Sequence, residues 1–181
     1  ADPNAAHEAI AGLEALGRLD CVITQNIDNL HQKAGNHSNK VYELHGNMHW
    51  IRCLECSDRY PLEEILRESG ASTEVPSCRR CGGILKPDVI FFGESLPEET
   101  LQDATRHANR CDLMIVVGSS LVVYPAAYLP FYAKQSGARL VIINLTPTPA
   151  DRTAEVVIHA SAGEVMGRIF AEVKARLLGC V

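Results

Sequence analysis

Leu113-Met114-Ile115-Val116-Val117-Gly118-Ser119-Ser120 is the stretch whose reading decides the fold. Five apolar residues follow one another without alternation, the pattern of a strand buried on both faces in a parallel sheet. A glycine and two hydroxyls come directly after it, at the strand end where open parallel sheets bind ligands. The pattern recurs downstream. Arg139 to Asn144 is a second buried run and Val156-Val157-Ile158 a third. Helices are predicted over 125–135 and 163–178, so strand and helix alternate from residue 111 to the end. Alternation of this kind predicts an α/β fold.

Upstream, Ile10, Leu13 and Leu16 mark a helix over 5–18, with Asn4 as its N-cap after Pro3. Cys21 to Thr24 reads as a short buried strand, and residues 29–34 as a short helix ended by Gly35. A helix is predicted over 61–69, and a strand over Val89-Ile90-Phe91-Phe92 ending at Gly93. Pro97, Glu98 and Glu99 suit the first turn of a helix running to about residue 108. Three segments then follow strands with small or polar residues: Gln25-Asn26-Ile27-Asp28, Gly118-Ser119-Ser120 and Asn144-Leu145-Thr146. One such loop is only a turn. Three at the same edge of one sheet point to a ligand crevice that accepts ribose or phosphate.

Four cysteines fall in two equal steps, Cys53-Leu54-Glu55-Cys56 and Cys78-Arg79-Arg80-Cys81. Two residues between cysteines let both thiolates face one metal from a single turn, and two such turns complete a tetrahedral zinc site. Four protein ligands leave no open position for chemistry, so the expected ion is structural. The metal lobe spans about 48–86, and residues 1–47 with 87–181 form the other domain. Cys21 and Cys111 read as core or near-core residues, and Cys180 as exposed. Paired CxxC steps with an odd cysteine count favour a reducing compartment, so a cytoplasmic location is expected.

The 181 residues are 46% hydrophobic and 22% charged, enough for a core. A net charge of −5 with no basic block gives nucleic acid no electrostatic foothold. No apolar run reaches membrane-span length, and the opening Ala-Asp-Pro-Asn lacks the shape of a signal peptide, so no membrane partner is expected.

His45 lies in Glu43-Leu44-His45-Gly46, just before the metal lobe. Histidine is the usual general base at neutral pH. Thr24-Gln25-Asn26-Ile27-Asp28-Asn29-Leu30-His31 resembles the signature loop of the sirtuins, the NAD-dependent protein deacylases. Glu43-Leu44-His45-Gly46 and the two CxxC pairs are similar to later parts of the same family. So are Lys86-Pro87-Asp88-Val89-Ile90-Phe91-Phe92-Gly93-Glu94, Gly118 through Pro125, and Ile143-Asn144-Leu145. The resemblance runs in order from about Pro3 to Phe170, and its wording is nearest to bacterial and archaeal lysine deacetylases.

The resemblance implies a Rossmann-like parallel sheet with helices on both faces and a small zinc-ribbon lobe. It also implies NAD as co-substrate and acetylated proteins or peptides as partners. His45 would be the general base, acting on a ribose hydroxyl after the acetyl oxygen has displaced nicotinamide. Asn26 and Asp28 would line the nicotinamide pocket as catalytic residues, Ile27 would hold the carboxamide and Gln25 would reach the ribose. Gly118, Ser119 and Ser120 would face ribose and phosphates, Asn144 and Leu145 the adenosine, and Ala162 and Gly163 the adenine. Val89 to Glu94 would bind the peptide by strand addition together with Val123, with Ile90 and Phe92 flanking the acyl-lysine tunnel and Gly93 and Glu94 closing the segment. An apolar tunnel suits an acetylated lysine, which is neutral.

The family's first nucleotide-binding element, a strand leading into a Gly-Ala-Gly-type loop, has no counterpart here, and no GxGxxG occurs. An incomplete catalytic core, weakly active or inactive alone, is therefore expected. Two other functions fit the same residues: a zinc-stabilised module that binds acetylated peptides without turnover, and an NAD-dependent ADP-ribosyltransferase. Structural readings of single residues also stand: Phe91 and Phe92 as core, Asp28 as a helix cap and His31 as a packing residue.

Overall fold

The computed structural model describes residues 1–70 and 75–179. Cys180 lies outside the described residues. The chain forms two compact units. One comprises Ala1–Ile23, Leu30–Tyr42 and Glu98–Val181, the other Thr24–Asn29 and Glu43–Pro97.

The first unit holds α1 (Ala5–Ala15), α2 (Leu30–Ala34), α4 (Glu98–Ala108), β6 (Leu113–Val117), α5 (Leu129–Gln135), β7 (Arg139–Ile143), β8 (Val156–Ile158) and α6 (Ala162–Leu178). The Asn4 carboxamide caps α1, accepting from the backbone N–H groups of Ala6 at 2.9 Å and His7 at 3.3 Å. This satisfies donors that the first helical turn leaves unpaired. The strands β6, β7 and β8 lie side by side and parallel, with Ile115 opposite Val141 and Val141 opposite Val156.

Period-two alternation sends their side chains into two layers. Ile115, Val117, Val141, Ile143 and Ile158 pack with α1 and α6, around Leu13 and Met166. Met114, Val116, Leu140 and Ile142 pack on the other face with Ala127 and Phe131. Helical segments thus cover both faces of the parallel sheet. Between α1 and α6 the approach is so close that a Cβ on Gly12 would lie 2.4 Å from the Phe170 ring.

β7 is the central strand and its Leu140, Ile142 and Ile143 are fully buried. β6 has a neighbour on one side only among the described residues, and its Leu113 is 46% exposed. The expectation of burial on both faces therefore holds for Leu140, Ile142 and Ile143 of β7 and not for the flanking strands β6 and β8, whose Leu113 and Val156 are exposed, because an edge strand lacks a second flank.

β1 (Val22–Thr24) pairs with β2 (Val41–Glu43) in a separate two-stranded sheet. This corrects the expectation that three ligand segments share one sheet edge. Residues 118–120 and 144–146 follow adjacent parallel strands, whereas 25–28 follow β1, which has no ladder to β6, β7 or β8 among the described residues.

The second unit is built on β3 (Gly46–Cys53), flanked antiparallel by β4 (Arg59–Pro61) and β5 (Leu85–Val89), with α3 (Leu62–Ser69) alongside. Its core is Ile51, Cys53, Ile65, Cys78 and Leu85. Here too an expectation is corrected. The strand predicted over 89–92 runs over Leu85–Val89, and residues 90–93 lie beyond it. Leu85 is drawn into the lobe core opposite Cys53, and Pro87 is accommodated because β5 is an edge strand. After Val89 the chain turns: Glu94 donates its N–H to the Phe91 carbonyl at 3.0 Å, and its carboxylate accepts the Phe91 N–H at 2.8 Å. Phe91 is exposed and Phe92 wholly so, which removes both from the core.

Candidate active site

His45 sits between β2 and β3 and is held from both sides. Its backbone carbonyl accepts from the Ile90 N–H at 3.0 Å. Its ring Nδ1 lies 2.8 Å from the Gln25 carbonyl oxygen. A carbonyl oxygen only accepts, so Nδ1 carries the proton and Nε2 keeps a lone pair. The tertiary contact thus selects the tautomer that a general base needs.

The 25–28 loop is bound to this segment along its length. Leu44 donates to the Thr24 carbonyl at 3.0 Å, and Met48 to the Ile27 carbonyl at 2.9 Å. The Asn26 N–H is tied back to the Thr24 hydroxyl at 3.1 Å, and the Asn26 residue itself is exposed. Gln25, Ile27 and Asp28 are half-buried. Gly46, next to His45, has φ +78°, and a Cβ there would stand 2.0 Å from the Asp88 carbonyl oxygen. Only glycine brings β3 this close to β5 beside the histidine.

The segment after β5 is braced by Lys86. Its Nζ donates to the Val89 carbonyl at 3.1 Å and to Glu94 at 2.6 Å, and sits over the Phe91 ring at 4.6 Å. Val89 and Ile90 are half-buried, while Phe92, Gly93 and Glu94 are exposed. The neighbouring cation and the Phe91 N–H hold the Glu94 carboxyl below its ordinary value.

The remaining candidates lie in the first unit. Gly118 has φ +62° and donates to the Ile143 carbonyl at 2.9 Å. The Ser119 hydroxyl accepts the Leu121 N–H at 3.3 Å, and Leu121 is buried with φ +54°. Ser120 and Val123 are exposed. Asn144 is buried and staples its own turn, donating from Nδ2 to the Thr146 carbonyl at 2.8 Å. Leu145 beside it is 72% exposed. Ala162 opens α6 and packs with the α1–α6 layer, and Gly163 is half-buried next to it.

The four cysteines converge, with all four Sγ atoms within 4.8 Å of one another. Cys53 and Cys81 stand 3.5 Å apart, as do Cys56 and Cys78. A disulfide requires ~2.0 Å, whereas four sulfurs around one zinc stand about 3.8 Å apart. The two turns are built alike: Ser57 donates to the Cys53 carbonyl at 3.1 Å and Gly82 to the Cys78 carbonyl at 2.9 Å, both with positive φ. A Cβ on Gly83 would lie 3.0 Å from Cys53 Sγ. The Tyr60 hydroxyl lies 3.2 Å from Cys78 Sγ and draws that thiol down to about 6. The same contact pushes the Tyr60 hydroxyl up to about 12, which keeps it the donor. The donor set fits a metal ion.

Cys21 and Cys111 are half-buried, and burial pushes the Cys21 thiol up to about 12, so it is not a ready nucleophile. The His31 ring tilts against His7 at 4.8 Å, in keeping with a packing role. Sequence reading passed over Asn47, Lys86 and Tyr60. No local pattern in the sequence marks Asn47: its burial and its place in β3 come from the tertiary structure.

The Sir2 family matches residues 1–125. An NAD-dependent protein deacylase 2 of Archaeoglobus fulgidus is 51% identical over 175 residues, covering 96% of this chain and 68% of the relative. A solved Sir2–p53 peptide–NAD+ complex superposes with a TM-score of 0.87 at 44% identity, covering 96% of this chain and 71% of the other. A Sir2 bound to acetylated peptide does so with a TM-score of 0.88 at 43% identity, covering 96% and 71%. With its parallel sheet, its histidine tautomer and its cysteine cluster, the chain belongs to the Sir2 family, the sirtuins.

Proposed function

We propose that the chain is an NAD-dependent protein-lysine deacylase that takes acetylated peptides. It transfers the acyl group to ADP-ribose and releases nicotinamide. One observation carries the reading: the Gln25 carbonyl holds His45 Nδ1 at 2.8 Å and leaves Nε2 as the proton acceptor. The relatives that bind NAD+ and acetylated peptide support the choice of substrates.

NAD would be the co-substrate and would supply the anomeric carbon that takes the acyl oxygen as nicotinamide departs. His45 Nε2 would take the proton of a ribose hydroxyl, freeing that oxygen to attack the acyl carbon; cleavage of the amide C–N bond with entry of one water would then release the lysine amine and leave the acyl group on ADP-ribose. Asn26 and Asp28 line the nicotinamide pocket, Ile27 holds the carboxamide and Gln25 reaches the ribose. Gly118, Ser119 and Ser120 serve ribose and phosphates, Asn144 and Leu145 the adenosine, Ala162 and Gly163 the adenine. The peptide adds as a strand along Val89 to Glu94, with Val123, and the exposed Phe92 and half-buried Ile90 flank the acyl-lysine. Residues 1–47 and 87–181 make the NAD-binding domain, and 48–86 a zinc ribbon. Cys53, Cys56, Cys78 and Cys81 hold one zinc whose coordination is filled by protein, so it shapes the lobe and takes no part in the reaction. A cytoplasmic location completes the reading.

The test is nicotinamide release from NAD, with and without an acetyl-lysine peptide, for the chain and for His45→Ala. Release that requires the peptide, weak in this chain as expected above, and that falls about 100-fold or more in the variant supports the reading. Peptide binding with unchanged affinity in His45→Ala and no release in either protein would replace this reading with a binding module. A peptide that gains ADP-ribose mass instead of losing an acetyl group would replace it with ADP-ribosyl transfer.

A further inference from the structure

Asn47 is 1% exposed in the middle of a polar triangle. Its Nδ2 donates to Glu43 Oε1 at 2.6 Å and to Asn29 Oδ1 at 3.1 Å. Its Oδ1 accepts the His49 N–H at 2.9 Å. The carboxylate of Glu43 demands a donor and the His49 amide an acceptor, so the orientation of the carboxamide has one solution. Both amide hydrogens and the oxygen are engaged.

The partners lie on the segments that carry the proposed chemistry. Asn29 ends the 25–28 loop, at φ +61°, a backbone conformation that persists when its surroundings enforce it. Glu43 and Asn47 flank His45 by two residues on either side. The Met48 N–H, next to Asn47, donates to the Ile27 carbonyl. One buried side chain therefore ties the end of the nicotinamide loop to both sides of the general base.

We propose that Asn47 is a positioning residue. It holds the 25–29 loop in register with His45 and so sets the base relative to the nicotinamide pocket, a role that rests on the deacylase reading above. No other residue type of its size offers two donors and an acceptor together. Aspartate has the same shape but puts a second carboxylate against Glu43, where like charges repel. Serine loses a donor.

The test uses Asn47→Asp and Asn29→Gly. The second variant keeps a residue at ease with positive φ and deletes only the acceptor, so it is expected to fold. Amide hydrogen exchange reads the hold directly. Protection at Met48 should fall roughly tenfold or more in both variants, while the Cys53 amide, bonded to the Asp58 carbonyl in the cysteine lobe, stays as it was. Nicotinamide release with acetyl-lysine peptide reads the consequence. The kcat of Asn47→Asp should fall about 100-fold with the peptide KM nearly unchanged, since misplacement of the base leaves peptide contacts alone. Unchanged Met48 protection in both variants overturns the proposal. So does equal loss at Met48 and Cys53, which would mean general destabilisation, or a higher peptide KM at unchanged kcat. Wild-type protein that releases no nicotinamide, in line with the weak or absent activity expected above, removes the catalytic half of the role in this chain; Met48 exchange then decides whether Asn47 holds the loop.

Discussion

The parallel sheet and the cysteine lobe reach stability by different routes. In β6, β7 and β8 every core-facing side chain is aliphatic or Met, and the two layers around Ile142 and Ile143 form by apolar burial alone. In the lobe, Ile51, Ile65 and Leu85 share the core with Cys53 and Cys78, which the proposed metal claims. What surrounds them is charge. Arg52 and Arg59 bracket Asp88 at 3.0 and 2.6 Å, and Arg79 spans Glu64 and Glu68 at 3.2 and 2.6 Å. The exposed Arg79 pairs add little, while the Asp88 carboxylate is 13% exposed between its two arginines. A region this small, with so few apolar groups inside, would depend on the proposed ion, whereas the sheet would not.

The contrast would break first at the metal. With the proposed zinc in place, a chelator would withdraw on the order of 10 kcal/mol of coordination from the lobe. Amide protection at Cys53 and Cys78 should vanish while Ile142 and Ile143 keep theirs, read by hydrogen exchange at matched temperature. Equal loss in both regions would show that the sheet also leans on the ion. Ile142→Ala probes the other side. It removes a fully buried side chain from the central strand and should cost about 2–5 kcal/mol in denaturant unfolding. Metal content per chain should stay the same, because the four-cysteine cluster belongs to the other compact unit.

The smallest effect sharpens the comparison within the sheet. Glu155, just before β8, accepts from the Leu140 N–H at 2.7 Å and from Lys134. Lys134 and then that backbone donor hold its carboxyl down at about 2, against an ordinary 4.5. A depressed carboxylate stabilises above its unfolded value, and that contribution is lost as pH falls through the folded one. The wild type should therefore exceed Glu155→Gln in melting temperature by a constant margin above about pH 4.5. The margin should shrink between about 4.5 and 2 and disappear below that range. A margin independent of pH would assign the effect to packing.

The aliphatic runs at 113–117 and 139–143 were legible because burial on both faces writes itself as an unbroken local pattern. The cysteine pairs were legible for a similar reason: metal geometry constrains their spacing within a single turn. The strand at 85–89 was not. Its sequence contains Lys86, Pro87 and Asp88, and only its pairing with Cys53, Arg52 and Ile51 makes it a strand, while the more apolar Phe91 and Phe92 turn out to solvent. The exposure of Leu113 escaped for the same reason, since a strand's neighbours are not written in the strand. Of the site, the 25–28 loop and His45 were candidates from the residues themselves, and their specific roles came from the resemblance. Asn47 was not, because a lone asparagine has no pattern around it.

The sequence by itself determined the α/β alternation, the helix begun by Asn4, the convergence of four thiols and the residues shared with the sirtuins. Each of these depends on neighbours a few positions apart. The tertiary structure alone decided that β1 pairs with β2, that β3 passes β5 closely enough to demand Gly46, and that the Gln25 carbonyl sets the His45 tautomer. Those outcomes depend on groups about 20 to 40 residues apart, whose meeting is a matter of chain packing and not of any local pattern.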